Sequence, residues 1–190
     1  MMTDRIPARL LTLILALCLL LAGSAAAEKA GDPIADFSLT DQYGNTWTPA
    51  DLAGKIVFLN FWATWCGPCV SEMPEFETFY HELGENKEEI MILGVAGPGI
   101  IDYEDEAGIA SFLEQNSLTY PVLMDTEGIL WQAYPSQYIP CSLFFLPDGT
   151  LAEIRLPDGS TGTKIVGIIG GDYFRETLEA LRQTAFSVQL

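Results

Sequence analysis

The chain has 190 residues, with 26 acidic side chains against 9 Lys and Arg and a formal net charge of −17 at neutral pH. Such acidity excludes nucleic acid as a main partner, because phosphates are held by Lys and Arg; a solvated surface is the plain meaning of the charge, with basic protein partners allowed. No acidic block is long enough to imply a disordered tail.

Residues 1–27 read as a leader and not as part of the fold. Arg5 and Arg9 outweigh Asp4, Leu10 to Ala22 is an apolar stretch broken only by Thr12, and Ala25-Ala26-Ala27 offers an A-x-A site ahead of Glu28. The apolar stretch falls short of the roughly 20 residues of a membrane span. Export with cleavage is therefore expected, an uncleaved N-terminal anchor being the alternative. Leu17 before Cys18 does not fit a lipoprotein site, where a small residue precedes the cysteine. Export implies a compartment in which disulfides persist and need control. Residues 28–190 suffice for one sizeable core and are read as a single domain.

Residues 28–55 form an extension. Asp36 to Leu39 and Thr46 to Thr48 are strand-like, Tyr43-Gly44-Asn45 is a turn, and Thr48 to Leu52 is a helical turn that Gly54 ends. Ile56 to Trp62 is apolar, rich in strand formers and reads as a buried strand. It leads into Trp65-Cys66-Gly67-Pro68-Cys69 and then Val70 to Leu83, a run of helix formers. A C-x-x-C between strand and helix is the setting of redox chemistry. Unpaired N–H groups and the dipole at a helix N-terminus favour a thiolate there, and thiolate is the attacking species in disulfide exchange. Two intervening residues leave the second sulfur within bonding reach. A purely structural disulfide would close almost no loop at this spacing. A closed zinc site would have to recruit Cys141 and His81, since no second C-x-x-C exists.

Further on, Ile90 to Val95 is apolar without alternation and suits a central parallel strand, which Gly97-Pro98-Gly99 breaks. Gly94, Gly97 and Gly99 read as loop glycines and not as a dinucleotide fingerprint. Tyr103 to Asn116 is a helix, with Ile109, Phe112 and Leu113 on one face. Tyr120 to Met124 is a short strand with Pro121 at its entry, and Ile129 to Tyr134 a helical turn in which Trp131 packs. Ser142 to Leu146 and Leu151 to Leu156 flank Pro147-Asp148-Gly149-Thr150, a hairpin signal. Gly171 to Thr184 closes the chain as a helix, with Phe174, Leu178 and Leu181 on one side. Together these predict an α/β sheet with helices on both faces.

The sequence resembles the thioredoxin superfamily, and within it the TlpA/ResA-like exported thiol–disulfide oxidoreductases of the AhpC/TSA-redoxin kind, over nearly all of 31–183. The likeness rests on Asp36-Phe37-Ser38-Leu39, on the block from Asn60-Phe61-Trp62-Ala63-Thr64 through Trp65-Cys66-Gly67-Pro68-Cys69, on Glu72 and Pro74, and on Ile139-Pro140 before a strand ending in Asp148-Gly149. It implies a thioredoxin-like fold: a central mixed β-sheet flanked by helices, with an N-terminal β extension and a helical insertion. Cys66 is then the exposed attacking thiol and Cys69 the more enclosed resolving thiol. Gly67-Pro68 sets the reduction potential, Gly-Pro being the pair of reducing thioredoxins. Trp65 covers one side of the sulfurs, or simply packs. Pro74 bends the helix. Pro140 matches the family's cis-proline, which exposes the backbone of Ile139 to an extended client segment.

Two departures from ordinary thioredoxins carry information. Their buried aspartate is Asn60 here, and an amide cannot take the proton that the resolving thiol must lose. Glu72 lies on the helix face of Cys69 and is expected to exchange that proton once burial raises its pKa. The alternative is a solvated charge like Glu75, Glu77 and Glu82. Cys141 stands where the family has a small hydroxyl or apolar residue. A small apolar filler is expected there, a third thiol that engages Cys66 or holds a soft metal ion being the alternative. His81, the only histidine, is expected to be solvated.

The resemblance thus implies dithiol–disulfide exchange with protein clients, as a reductant, in a monomer exported to the periplasm. A membrane electron donor restores the dithiol, and no cofactor or metal is needed beyond the redox-active Cys66–Cys69 disulfide. Cytochrome c maturation is the family's best-known task, and no residue here fixes that client. The competing readings are an oxidant or isomerase, a metal-binding carrier module on Cys66, Cys69 and Cys141, and a thiol peroxidase. A peroxidase places Thr where this chain has Ala63.

Overall fold

The computed structural model describes residues 28–186, so the expected leader, with Cys18, lies outside the described residues. A short antiparallel pair opens the fold, β1 (Leu39–Thr40) with β2 (Thr46–Trp47). Asp41 holds its turn, its carboxylate accepting from Tyr43 N, Asn45 N and Trp47 Nε1, each at 2.9 Å. Then follow α1 (Pro49–Leu52), the wholly buried β3 (Ile56–Phe61), α2 (Gly67–Glu82), β4 (Ile90–Ala96), α3 (Glu106–Gln115), β5 (Val122–Met124) and α4 (Ile129–Ala133). The chain ends with β6 (Cys141–Phe145), β7 (Ile154–Arg155), β8 (Thr161–Gly162), β9 (Lys164–Val166) and α5 (Gly171–Phe186).

The central sheet has five strands in the order β5-β4-β3-β6-β9. Its first three run parallel, while β6 and β9 are antiparallel to their neighbours. The thioredoxin-like mixed sheet expected from the sequence is thus the one observed. Alternation along β3 divides the core in two, as the period-two pleat requires. Ile56, Phe58 and Trp62 join α2, α3 and α5 on one face. There Phe58 meets Phe76, Phe144 and Phe174 at ring-centroid distances of 5.0, 5.1 and 4.9 Å. Val57, Leu59 and Phe61 face the other way, onto Phe37, Leu39, Leu52, Leu130 and Tyr134. The second face is covered by the N-terminal extension with the short α1 and α4, and the three long helices share the first.

Three expectations change. The Asp148-Gly149 turn forms, with Gly149 N donating to Leu146 O (2.8 Å), but its strands part after the single bridge Phe145↔Leu151. The reason is competition for an edge: β9 occupies β6 along Cys141 to Leu143, so Ile154 and Arg155 pair with β8 instead. Gly94 is not a loop residue. It sits inside β4, where a Cβ would come within 2.9 Å of Val122 Cγ2 and 3.1 Å of Trp62 Nε1. The insertion helix starts at Glu106 and not at Tyr103, because the Asp105 carboxylate caps it by accepting from Gly108 N (2.8 Å).

Candidate active site

The end of β3 delivers the chain to the N-terminus of α2, where Cys66 is the capping residue in extended conformation (φ −83°, ψ 94°). Its Sγ accepts from Cys69 N at 3.3 Å. Cys66 and Cys69 form a disulfide, their Cα atoms 5.3 Å apart. Pro68 sits in the first helical turn, where its missing N–H costs no intrahelical bond. Pro74 is accommodated inside the helix, leaving the Val70 carbonyl without the N–H that would normally bond it.

Cys66 is not the exposed thiol expected. It is only 4% exposed, against 0% for Cys69, because the 139–140 loop closes over it and its sulfur lies 3.7 Å from Ile139 O. Gly67 and Pro68 lie exposed beside the sulfurs, and a Cβ on Gly67 would meet nothing. The Ile139–Pro140 peptide is cis. Pro140 O accepts from Gly167 N at 2.9 Å, which ties this loop to the segment after β9.

Trp65 is 53% exposed, and its Nε1 donates to Ile101 O at 3.0 Å. It shares a groove with Ile100, Ile101, Trp131, Tyr138 and Ile139. The loop that carries Trp65 is held by a residue that sequence reasoning missed. The buried carboxylate of Asp102 accepts from Thr64 N and Thr64 Oγ1, both at 2.6 Å, and from Glu104 N at 3.1 Å. Asp102 lies in an acidic stretch far along the chain from Thr64, so no local pattern distinguishes it from its solvated neighbours.

Glu72 is 3% exposed, which removes the solvated-charge alternative. Its Oε1 accepts from Asn60 Nδ2 (3.0 Å) and its Oε2 from Ile169 N (2.9 Å). Burial pushes its pKa up to about 7, against the pull of the hydrogen bonds from Ile169 and Asn60, and the nearby Glu75 charge pushes the same way as burial. Asn60 lies in register with Ser142 on one side and Gly94 on the other, and its Nδ2 also donates to Ser142 Oγ at 3.0 Å. One turn of helix separates Glu72 from Cys69, and both side chains enter the same core. The arrangement puts a protonatable carboxyl behind a cysteine pair whose outer sulfur caps a helix.

Cys141 is a buried free thiol whose side chain packs with Phe61, Leu143 and Phe145 in the second core layer, on the face of the sheet away from Cys69. Burial raises its pKa. Among the described residues no group of three or more His, Cys, Asp or Glu side chains is placed to hold a metal ion. His81 is exposed and bridges Glu77 (2.9 Å) on its own helix and Glu85 (3.2 Å) just past that helix's end.

A family model described as the AhpC/TSA family matches residues 30–154. The thiol-disulfide oxidoreductase ResA of Oceanobacillus iheyensis is 35% identical over 132 residues, which are 66% of this chain and 64% of that protein. ResA of Bacillus subtilis is 30% identical over 124 residues, 65% of each chain. The matched stretch therefore spans about two thirds of these relatives. Among solved structures, the pneumococcal exposed lipoprotein thioredoxin from Streptococcus pneumoniae superposes with a TM-score of 0.62 at 29% identity, covering 77% of this chain and 100% of that one.

Proposed function

Since the chain belongs to the AhpC/TSA family and has a thioredoxin-like fold, we propose that it is a thiol–disulfide oxidoreductase that reduces disulfides of protein clients through Cys66 and Cys69. The observation that carries this reading is a bonded cysteine pair at the start of α2 with the protonatable Glu72 buried one turn behind it.

In the reducing direction, Cys66 attacks as thiolate, stabilised by the helix N-terminus and by the Cys69 N–H that its sulfur accepts. The client's disulfide breaks, one client sulfur leaves as thiolate, and the other is held in a mixed disulfide with Cys66. Cys69 then gives its proton to the Glu72 carboxylate and attacks Cys66 Sγ. The second client thiolate departs and takes a proton back, by way of Glu72 or from solvent. The redox-active disulfide serves in place of a cofactor.

Trp65, Gly67, Pro68, Ile139 and Pro140 form the client-binding surface in this reading. Trp65 and Ile139 line one groove, and Gly67-Pro68 lie exposed next to Cys66. The Gly-Pro pair supports a reductant. Residues 28–190 act as one domain behind a leader at 1–27 that exports the chain to the periplasm, where a membrane electron donor restores the dithiol. A cytochrome c apoprotein, presenting its own cysteine pair, is the client that the family resemblance favours. Cys141 takes no part in exchange and fills space.

A Cys69→Ser chain expressed in an exporting cell tests the reading. The mixed disulfide then cannot resolve, so clients should remain bound through Cys66, be released by dithiothreitol, and be absent when Cys66 is replaced as well. Absence of any thiol-sensitive adduct overturns the proposal.

A further inference from the structure

The carboxylate of Glu72 is built for its charged form. Each oxygen faces a donor, Asn60 Nδ2 at Oε1 and Ile169 N at Oε2. A proton placed where either oxygen now accepts would point at that donor unless its partner can reverse. The Ile169 N–H is backbone and cannot. The Asn60 amide can, by half a turn about Cβ–Cγ, which exchanges Nδ2 and Oδ1. Two further observations favour that rotation. Asn60 Oδ1 is buried and finds no hydrogen-bond partner among the described residues, so its departure breaks no bond, and the turn brings Nδ2 into that same partnerless place. The other acceptor of Nδ2 is Ser142 Oγ, and a hydroxyl donates as readily as it accepts.

We propose that Asn60 and Ser142 form a reversible positioning pair for Glu72, the Asn60 amide turning over each time Glu72 gains or loses a proton. With Glu72 ionised, Nδ2 donates to Glu72 Oε1 and to Ser142 Oγ. With Glu72 protonated, Oδ1 takes the place of Nδ2 and accepts from Glu72 Oε1–H and from Ser142 O–H. Both contacts survive with their polarity reversed. In the proposed exchange the proton leaves Cys69 Sγ as that sulfur attacks Cys66, resides on Glu72 Oε1 against Asn60 Oδ1, and is passed to the departing client thiolate, which restores the carboxylate and the first amide orientation. The amide that replaces the thioredoxins' aspartate thus takes no proton itself, yet provides a partner for either state of the group that does.

The other titratable groups that face Glu72 are Cys69 and Glu75 on α2 and the buried Tyr120 before β5, whose pKa burial and the Glu72 charge hold well above the ordinary value. In the oxidised protein Cys69 has no proton, so Glu72 titrates there without it. The proposal rests on Glu72 as the proton carrier, but its test does not depend on turnover. In the oxidised wild type, side-chain NMR should show the Asn60 NH₂ signals moving with pH at the same midpoint as the Glu72 carboxyl carbon. The movement should vanish in Glu72→Gln. In Asn60→Leu, where the carboxylate loses a charge-assisted donor, the Glu72 midpoint should rise by about one pH unit. Ser142→Ala should keep a titrating amide but shift its midpoint. Asn60 signals that stay fixed while Glu72 titrates, or an unchanged midpoint in Asn60→Leu, overturn the proposal. Failure of the exchange reading shows separately, as Glu72→Gln resolving the mixed disulfide at the wild-type rate at every pH.

Discussion

The chemistry turns on one buried carboxyl. Glu72 accepts protons only while ionised, and burial holds its pKa up to about 7. The resolving step, measured by stopped-flow on a Cys66 mixed disulfide, should therefore accelerate as pH rises through about 7. Glu72→Gln should slow it about 100-fold and flatten that profile. At this scale the sequence was legible where a residue belongs to a contiguous motif. Cys66, Cys69 and Glu72 occupy one helix at fixed spacing, so their juxtaposition follows from its geometry. The burial of Cys66 was not legible, because the loop that closes over it arrives from residue 139. Nor was Asp102, whose three donors include the backbone and hydroxyl of Thr64. Asp102→Ala should strip those partly buried donors of their carboxylate and lower stability by about 1 kcal/mol in a urea titration. Because the same contact holds the loop bearing Trp65, it should also raise KM for an insulin-like substrate.

Among the elements, those with strong periodicity or a clear apolar run formed where the sequence indicated: β3, α2, β4 and α5 all lie within the expected stretches or extend them slightly. The misreadings arose where one edge had two claimants. Leu151 to Leu156 has the composition of a strand, yet β9, a three-residue piece with no distinctive pattern, holds most of the β6 edge. Local composition cannot say which of two segments wins a ladder. Gly94 shows the same limit in another form, since the side chains that exclude a Cβ there come from two other stretches of the chain, Trp62 from one and Tyr120 and Val122 from the other. Gly94→Ala should force them apart and cost about 1–3 kcal/mol, read as a lower denaturant midpoint at unchanged slope.

The molecule as a whole carries a charge of −17, and its stability should respond to pH in two opposed windows. Asp51, Asp148 and Asp158 have pKa values lowered chiefly by hydrogen bonds from the side chains of Thr48, Thr150 and Ser160. Their contribution is present above the unfolded value of 3.8 and is lost as pH falls through their folded values. Glu72 acts in the other sense. Its pKa rises from 4.5 to about 7 on folding, so the folded state binds its proton more tightly. Stability should fall as pH climbs between those values, by about 3 kcal/mol in all, and Glu72→Gln should remove that slope from a set of thermal melts. The central claim, that Cys66 and Cys69 exchange as one couple, is tested most directly by equilibrating the purified chain in glutathione buffers and counting alkylated thiols by mass. One reversible two-electron transition at Cys66 and Cys69, with Cys141 remaining a thiol throughout and the transition lost in Cys66→Ser, is the predicted result. Cysteines that fail to interconvert reversibly, or that oxidise independently of one another, contradict the account.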